Sequence, residues 1–298
     1  MRDQAEGLRK QLESKRANKQ TKVAAVVSGK GGVGKTNISV NLAIGLSQIG
    51  KKVLIVDLDI GMANVDIITG VAARSSIVDM IEHRRSIFDI ITDGPAGIKF
   101  ISGGSGLSKM FQLDAVKFSY FVRQIEQLNR QYDYIFFDLG AGISKDSLNF
   151  ILASHEMIIV LTPEPTSITD GYALVKTIHQ HEPHLPMHLL VNACEDEDEG
   201  YETAMRFKRT VREFLNADIS IIGTLPFDRT VFRAVQSQTP FLVYAPKAKV
   251  SASMDKVIYA YSGYEKLEEK GLDRFVAKLS RLFSAKRSKR SMEWPKNI

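Results

Sequence analysis

Two lysines share one glycine-rich stretch, although a single lysine is enough to hold a phosphate chain. The stretch "VVSGKGGVGKT", residues 26–36, sets Lys30 between Gly29 and Gly31 and closes on Gly34, Lys35 and Thr36. Glycines let the backbone curl until its N–H groups point inward at phosphate oxygens. A helix starting there adds the positive end of its dipole. In such a loop Lys35 reaches the β- and γ-phosphates of a nucleotide, and the Thr36 hydroxyl ligates Mg²⁺. Gly29, Gly31, Gly32, Val33, Gly34 and Asn37 complete the cradle.

Carboxylates at two further points suit the same chemistry. In "VDLDIGMANVD", Asp57 and Asp59 close an apolar run, where metal-shell and water-positioning roles beside a triphosphate are expected. In "YIFFDLGAGIS", four apolar residues run into Asp138, the place of a carboxylate that holds Mg²⁺ through water. The Gly140-Ala141-Gly142 that follows can swing with the γ-phosphate. "LLVNA" ends on Asn192 and its flanking alanine; that amide could both donate to and accept from a purine edge. Pro226 and Asp228 of "TLPFD" could wall the base, and a structural turn explains Pro226 equally well.

These residues need strands to carry them. "KVAAVVS", "KVLIVD", "IKFIS", "YIFFD", "MIIVLT", "HLLVNA" and "ISIIGTLP" read as strands, several of them apolar on both faces. Helical patterns occupy residues 38–49, 115–131, 169–181, 201–215 and 231–238. Alternation at this spacing implies right-handed βαβ units: an α/β fold with a doubly wound, mostly parallel sheet flanked by helices. The reading is one domain over residues 22–270, with an N-terminal extension, 1–21, and a C-terminal segment, 271–298.

Composition narrows the classes. No apolar run approaches eighteen residues, so no membrane-spanning helix is expected, and the charged first twenty residues are no secretory signal. A single cysteine, Cys194, leaves no intrachain disulfide and no CxxC metal or cluster site. Residues 271–290 hold seven basic side chains against Asp273, which equals the whole formal net charge of +6. In that tail Leu272, Phe275, Val276, Leu279, Leu282 and Phe283 recur at helical spacing, with Arg274, Lys278 and Arg281 outside the apolar arc. That pattern suits an amphipathic helix lying in an anionic membrane surface; the plainer alternative is a last helix packed on the domain. "RFKRTVREF", residues 206–214, is a solvated helix face or a dock for an acidic partner.

With Lys30, Lys35, Asp57, Asp59 and Asp138 in place, the chain resembles the MinD/ParA group of P-loop NTPases with a deviant Walker A motif, KGGxGK[ST]. The resemblance implies a MinD-like fold, ATP and ADP with Mg²⁺ as ligands, and a slow ATPase that works as a face-to-face homodimer. It gives Lys30 an in-trans contact with the partner's phosphates, Asp59 the attacking water, and Thr36, Asp57 and Asp138 the magnesium shell. Two departures stand out: Lys35-Thr36-Asn37 where MinD proteins read K-T-T, and Leu139-Gly140-Ala141-Gly142-Ile143 where they read S-P-A-G-I.

The opening "DQAEGLRK" and "DLDIGMANVDI" further resemble the flagellar number regulators FlhG, also called FleN or YlxH. In that family an N-terminal motif, matched here by Asp3, Gln4, Ala5, Leu8 and Arg9, stimulates the GTPase FlhF. Asp3 with Glu6 forms a capping-box-like pair, and Ala5, Leu8 and Leu12 lie on one side. So short a helix is marginal alone; by its residues it reads as a solvated tail, and the resemblance implies a segment that orders on its partner. Flagellar switch-complex proteins and an anionic membrane are further expected partners, placing the protein in the cytoplasm and, with ATP, on the inner membrane face. The alternative is a ParA/MinD-type ATPase positioning DNA or the division site; the apolar stripe of the tail would be wasted on DNA. One cysteine sets aside an iron–sulfur carrier of the same superfamily, and the lack of a terminal tyrosine cluster sets aside a tyrosine kinase.

Overall fold

A computed structural model describes residues 20–59, 64–104, 115–263 and 271–290, with side chains to residue 284. The first strand, β1 (Lys22–Val27), runs through the glycine loop into α1 (Lys35–Gln48). Next come β2 (Val53–Leu58), α2 (Asn64–Thr69) and α3 (Ile77–Glu82), followed by β3 (Thr92–Asp93) and β4 (Lys99–Ser102). The centre continues through α4 (Ala115–Glu126), β5 (Tyr134–Leu139), α5 (Lys145–Ala153), β6 (Glu156–Leu161), α6 (Pro165–His181), β7 (Met187–Cys194) and α7 (Glu197–Leu215). It closes with β8 (Ser220–Pro226), α8 (Arg229–Gln236), α9 (Phe241–Tyr244), α10 (Lys249–Gly263) and α11 (Leu272–Arg290).

The strands form one eight-stranded sheet in the order β3-β4-β2-β5-β1-β6-β7-β8. Seven are the expected parallel strands; the short β3 pairs antiparallel with β4 at the edge. Every residue of β2, β5 and β6 is buried, because helices cover both faces of the sheet. One core layer gathers side chains of α3, α4, α5, α6, α7 and α11; the other gathers those of α1, α2, α8, α9 and α10. The parallel strands deliver their carboxyl ends, and the loops after them, to one rim of the sheet.

Some helices depart from the expected limits for local reasons. α7 begins at Glu197, four residues ahead of the expected start, because Asp196 caps it by accepting from the Glu199 N–H at 2.8 Å. Its acidic first turn and Arg212 in the last turn match the helix dipole. Pro165 opens α6, where a missing N–H costs nothing. α2, α3, α5 and α9 were not legible as periodic stretches, and α10 was not among the expected helices.

Of the two alternatives for the C-terminal helix, the structure shows it packed on the domain. Leu272, Phe275, Val276, Leu279 and Phe283 are buried in the main core, and Leu282 is half-buried against it. Phe275 stacks on Phe137 at 5.0 Å between centroids, and Phe283 stacks on Phe118 at 4.3 Å. Asn129 Nδ2 donates to Asp273 Oδ1 at 2.9 Å, and Lys278 pairs with Glu182. Arg274 and Arg281 stay exposed. An amphipathic stripe satisfies a domain's own core as well as it satisfies lipid, so periodicity alone could not choose.

At the opposite rim from the glycine loop lies a buried polar knot. The Glu156 carboxylate accepts from Lys22 Nζ at 2.7 Å and from Tyr261, and it meets His188 Nε2 at 3.1 Å. Burial alone would raise its pKa, but the His188 hydrogen bond and the Lys22 charge outweigh that and bring it down to about 2. The knot fastens the first residues of β1, β6 and β7 to the end of α10.

Candidate functional site: a phosphate cradle at the sheet's carboxyl rim

The loop after β1 owes its shape to particular glycines. Gly34 sits at φ 87°, and a Cβ there would fall 2.5 Å from Asn192 Nδ2. A Cβ on Gly29 would fall 2.3 Å from the carbonyl carbon of Asp170, so the loop lies flat against α6. Gly31 and Gly32 are exposed at its tip, while Val33 is buried. Asn192 Nδ2 donates to the Val33 carbonyl at 2.9 Å, so the residue expected at a purine edge also braces the loop.

The two lysines go separate ways. Lys35, the first residue of α1, is buried, and its Nζ lies 2.6 Å from Asp138 Oδ1. Ser39, one turn along, donates to the same oxygen at 3.2 Å. Lys30 points outward, 39% exposed, with its Nζ 2.5 Å from Glu164 Oε2 and 3.1 Å from Thr166 Oγ1. Thr36 and Asn37 are half-buried in the first turn of α1.

Opposite the loop, β2 and β5 bring Asp57 and Asp138 into register as neighbours. Asp57 Oδ1 accepts from the Asp59 N–H at 3.0 Å; its Oδ2 accepts from the N–H groups of Asn64, 3.1 Å, and Val65, 3.2 Å. It thereby caps α2. Burial, and then the nearby Asp138 charge, push its pKa up to about 7. Asp59 Oδ2 accepts from Asn64 Nδ2 at 3.1 Å, and a Cβ on Gly140 would come within 2.9 Å of its Oδ1. The Gly142 N–H donates to the Ser28 carbonyl at 3.0 Å, tying the loop after β5 to the glycine loop.

Whether a hydrated divalent cation fits is answered by the carboxylates. Asp138 is fully buried, yet its Oδ2 has no hydrogen-bond partner among the described residues. A buried carboxylate oxygen left over beside a second carboxylate is stable only with a cation or water against it. Asp57, Asp138 and the Thr36 hydroxyl supply the hard oxygen donors that Mg²⁺ prefers. The residues present fit the ion.

The two residues expected to wall the base flank the turn from β8 into α8. Asp228 caps α8, accepting from the Thr230 N–H at 2.8 Å. Burial acts against it, but the Thr230 hydrogen bonds hold its carboxyl below the ordinary range. Pro226 ends β8, and the Phe227 N–H donates to the Cys194 carbonyl at 2.7 Å. Asp228 thus builds the start of α8, and Pro226 closes β8 just before it. Sequence reading passed over Ser39, Asn64, Glu164 and Thr166. Ser39 was findable as the residue one turn beyond Lys35, but Glu164 carries no local signal. The residues expected to engage a GTPase, Asp3, Gln4, Ala5, Leu8 and Arg9, lie outside the described residues, as do Ile60, Gly61, Met62 and Ala63 of the "DLDIGMANVDI" stretch.

A glycine loop between β1 and α1, a buried lysine in it and two rim carboxylates on the adjacent strands define a P-loop ATPase of the MinD/ParA class. Residues 21–190 match the family described as AAA domain. The chain is 33% identical over 235 residues to the antiactivator FleN of Pseudomonas aeruginosa, covering 79% of this chain and 84% of that protein. It is 34% identical over 239 residues to the flagellum site-determining protein YlxH of Helicobacter pylori, covering 80% of each. Among solved structures, MinD in a MinC:MinD complex from Aquifex aeolicus superposes with a TM-score of 0.65 at 25% identity, covering 84% of this chain and 99% of that one. MinD with Mg-ADP from Pyrococcus horikoshii shares the fold at a TM-score of 0.67, with 24% identity and coverage of 82% and 96%. The chain belongs to the FlhG family, to which FleN and YlxH belong, within the MinD/ParA ATPases.

Proposed function

We propose that the protein is an ATP-dependent dimerising switch that controls the number or placement of flagella. The observation that carries this reading is the separation of the lysines: Lys35 is buried on its own site, and Lys30 stands on the surface beside it. A lysine needed only for the chain's own nucleotide has no reason to face outward. Lys30 would instead meet the phosphates bound by a second subunit, so that dimerisation depends on ATP.

In the working dimer Lys35 leaves Asp138 for the β- and γ-phosphates, and the loop N–H groups of residues 29–37 hold the phosphate chain. Mg²⁺, held by Thr36, Asp57 and Asp138, would neutralise charge on the phosphates. Asp59, hinged on Asn64 and packed against Gly140, orients the water that attacks the γ-phosphorus. The bond from that phosphorus to the bridging oxygen breaks, and ADP and phosphate leave. Positioning and electrostatics supply the rate, so turnover is slow and serves as a timer.

Three outputs complete the proposal. The segment carrying Asp3, Gln4, Ala5, Leu8 and Arg9 would order on a GTPase of the FlhF type and stimulate it. The solvent-facing Arg206, Arg209 and Arg212 on α7 would dock an acidic flagellar switch-complex protein. α11 would exchange its groove for an anionic membrane when ATP drives dimerisation, keeping the protein cytoplasmic with ADP and on the inner membrane face with ATP. Burial of its five apolar side chains stabilises docking by roughly 1.5–3 kcal/mol each. Release into water is therefore too costly, and the helix must pass directly to another apolar medium. Vesicle co-sedimentation that does not distinguish ATP from ADP would remove this part.

Size-exclusion chromatography with ATP, ADP and no nucleotide tests the centre of the proposal, on the wild type and on Asp59→Ala. An ATP-dependent dimer, longer-lived in Asp59→Ala, is expected. Monomers in every condition would refute the reading.

A further inference from the structure

The loops carrying Lys30 and Glu164 follow β1 and β6, which are neighbours in the sheet, so both leave it at the same rim. Glu164 stands between Pro163 and Pro165, whose rings fix the backbone on either side of it. It is the residue before α6 but gives no side-chain hydrogen bond to that helix. Its carboxylate is turned instead to Lys30 Nζ at 2.5 Å, and Thr166 Oγ1 accepts from the same ammonium at 3.1 Å. Lys30 is thus held by two oxygens of its own chain.

We propose that Glu164, supported by Thr166, is a positioning residue that latches Lys30 in cis and so sets the threshold for dimerisation. The inference rests on the reading of Lys30 as the in-trans phosphate contact. A lone subunit keeps the lysine on Glu164. A triphosphate presented by a second subunit offers several oxyanions and takes the ammonium away. With side chains 39% and 60% exposed, the pair is screened by water and is a bias rather than a lock. An exposed pair of this kind shifts an equilibrium by about threefold. Each dimer opens two latches, so the effect on dimerisation multiplies to about tenfold.

The test follows ATPase rate against protein concentration in the full-length chain, with sedimentation velocity in ATP as an independent measure of dimer. Glu164→Gln is expected to reach half-maximal rate at about tenfold lower protein concentration, with the same plateau. The gap should close at high salt, and Glu164→Asp should restore most of the wild-type threshold. Thr166→Val should shift it in the same direction by less. An unchanged thermal midpoint and unchanged ATP binding by the monomer separate this from misfolding. A threshold that stays put or rises in Glu164→Gln would overturn the latch. If Lys30→Ala dimerises with ATP as the wild type does, the in-trans reading itself falls, whatever Glu164 does.

Discussion

Phe275 of the C-terminal helix stacks on Phe137 of the central strand β5, centroids 5.0 Å apart and planes 19° from parallel. Phe137 lies one residue before Asp138, so the tail helix rests directly under the strand that carries a site carboxylate. Phe275 is fully buried, and Phe275→Ala should cost about 3–5 kcal/mol in denaturant unfolding. Arg281→Ala, on the exposed face of the same helix, should stay within about 0.5 kcal/mol of wild type. Equal midpoints for the two variants would show the helix to be loosely attached.

Gly34 and Asn192 make a close approach in the nucleotide loop at a left-handed backbone position. Gly34→Ala forces a Cβ to 2.5 Å from Asn192 Nδ2 at φ 87°, a left-handed backbone that costs a side chain about 1–2 kcal/mol before the clash. Loss of measurable ATP binding by calorimetry is expected. Asn192→Ala removes the bond to the Val33 carbonyl and should weaken ATP by about three- to tenfold. An Asn192→Ala protein with unaltered affinity would show that the loop needs no brace.

Glu156 predicts a pH signature remote from the nucleotide. Its carboxyl falls from an ordinary 4.5 to about 2 on folding, so the stability it contributes is complete above pH 4.5 and is lost as pH falls toward 2. Glu156→Gln leaves Lys22 and His188 without their carboxylate and should lower stability at pH 7 by about 3–5 kcal/mol. The acid-side slope of unfolding free energy between pH 4.5 and 2 should flatten in that variant. An unchanged slope would place the titration elsewhere.

Arg206, Arg209 and Arg212 face solvent on α7, with no ion pair among the described residues. Reversing their charge to Glu should leave thermal stability nearly unchanged. Binding to flagellar switch-complex proteins, measured by pull-down, should be lost. Retained binding would dismiss α7 as the dock.

The seven parallel strands and the glycine loop were legible because their signals are local: β-branched runs, glycines, and carboxylates at strand ends. The shortest of the missed elements lack such signals. β3 is a two-residue strand, α2 and α3 span six residues each, and α9 spans four. α10, at fifteen residues, was overlooked among polar and small side chains, although Val250, Met254, Val257, Ile258 and Tyr261 form its buried stripe. Asp228 shows a role that strand-end position alone does not reveal: it caps the next helix.

By itself the sequence determined the phosphate cradle, the carboxylates opposite it and the doubly wound sheet, since each depends on residues adjacent in the chain. Tertiary structure decided where the partners of those residues come from. Lys30 and Glu164 lie 134 positions apart, and only the adjacency of β1 and β6 makes them meet. The apolar stripe of α11 specified that one face must leave water, but not whether protein or lipid receives it. In this fold the groove against β5, lined by Phe118, Phe137 and Phe150, is of matching chemistry, and the helix lies in it.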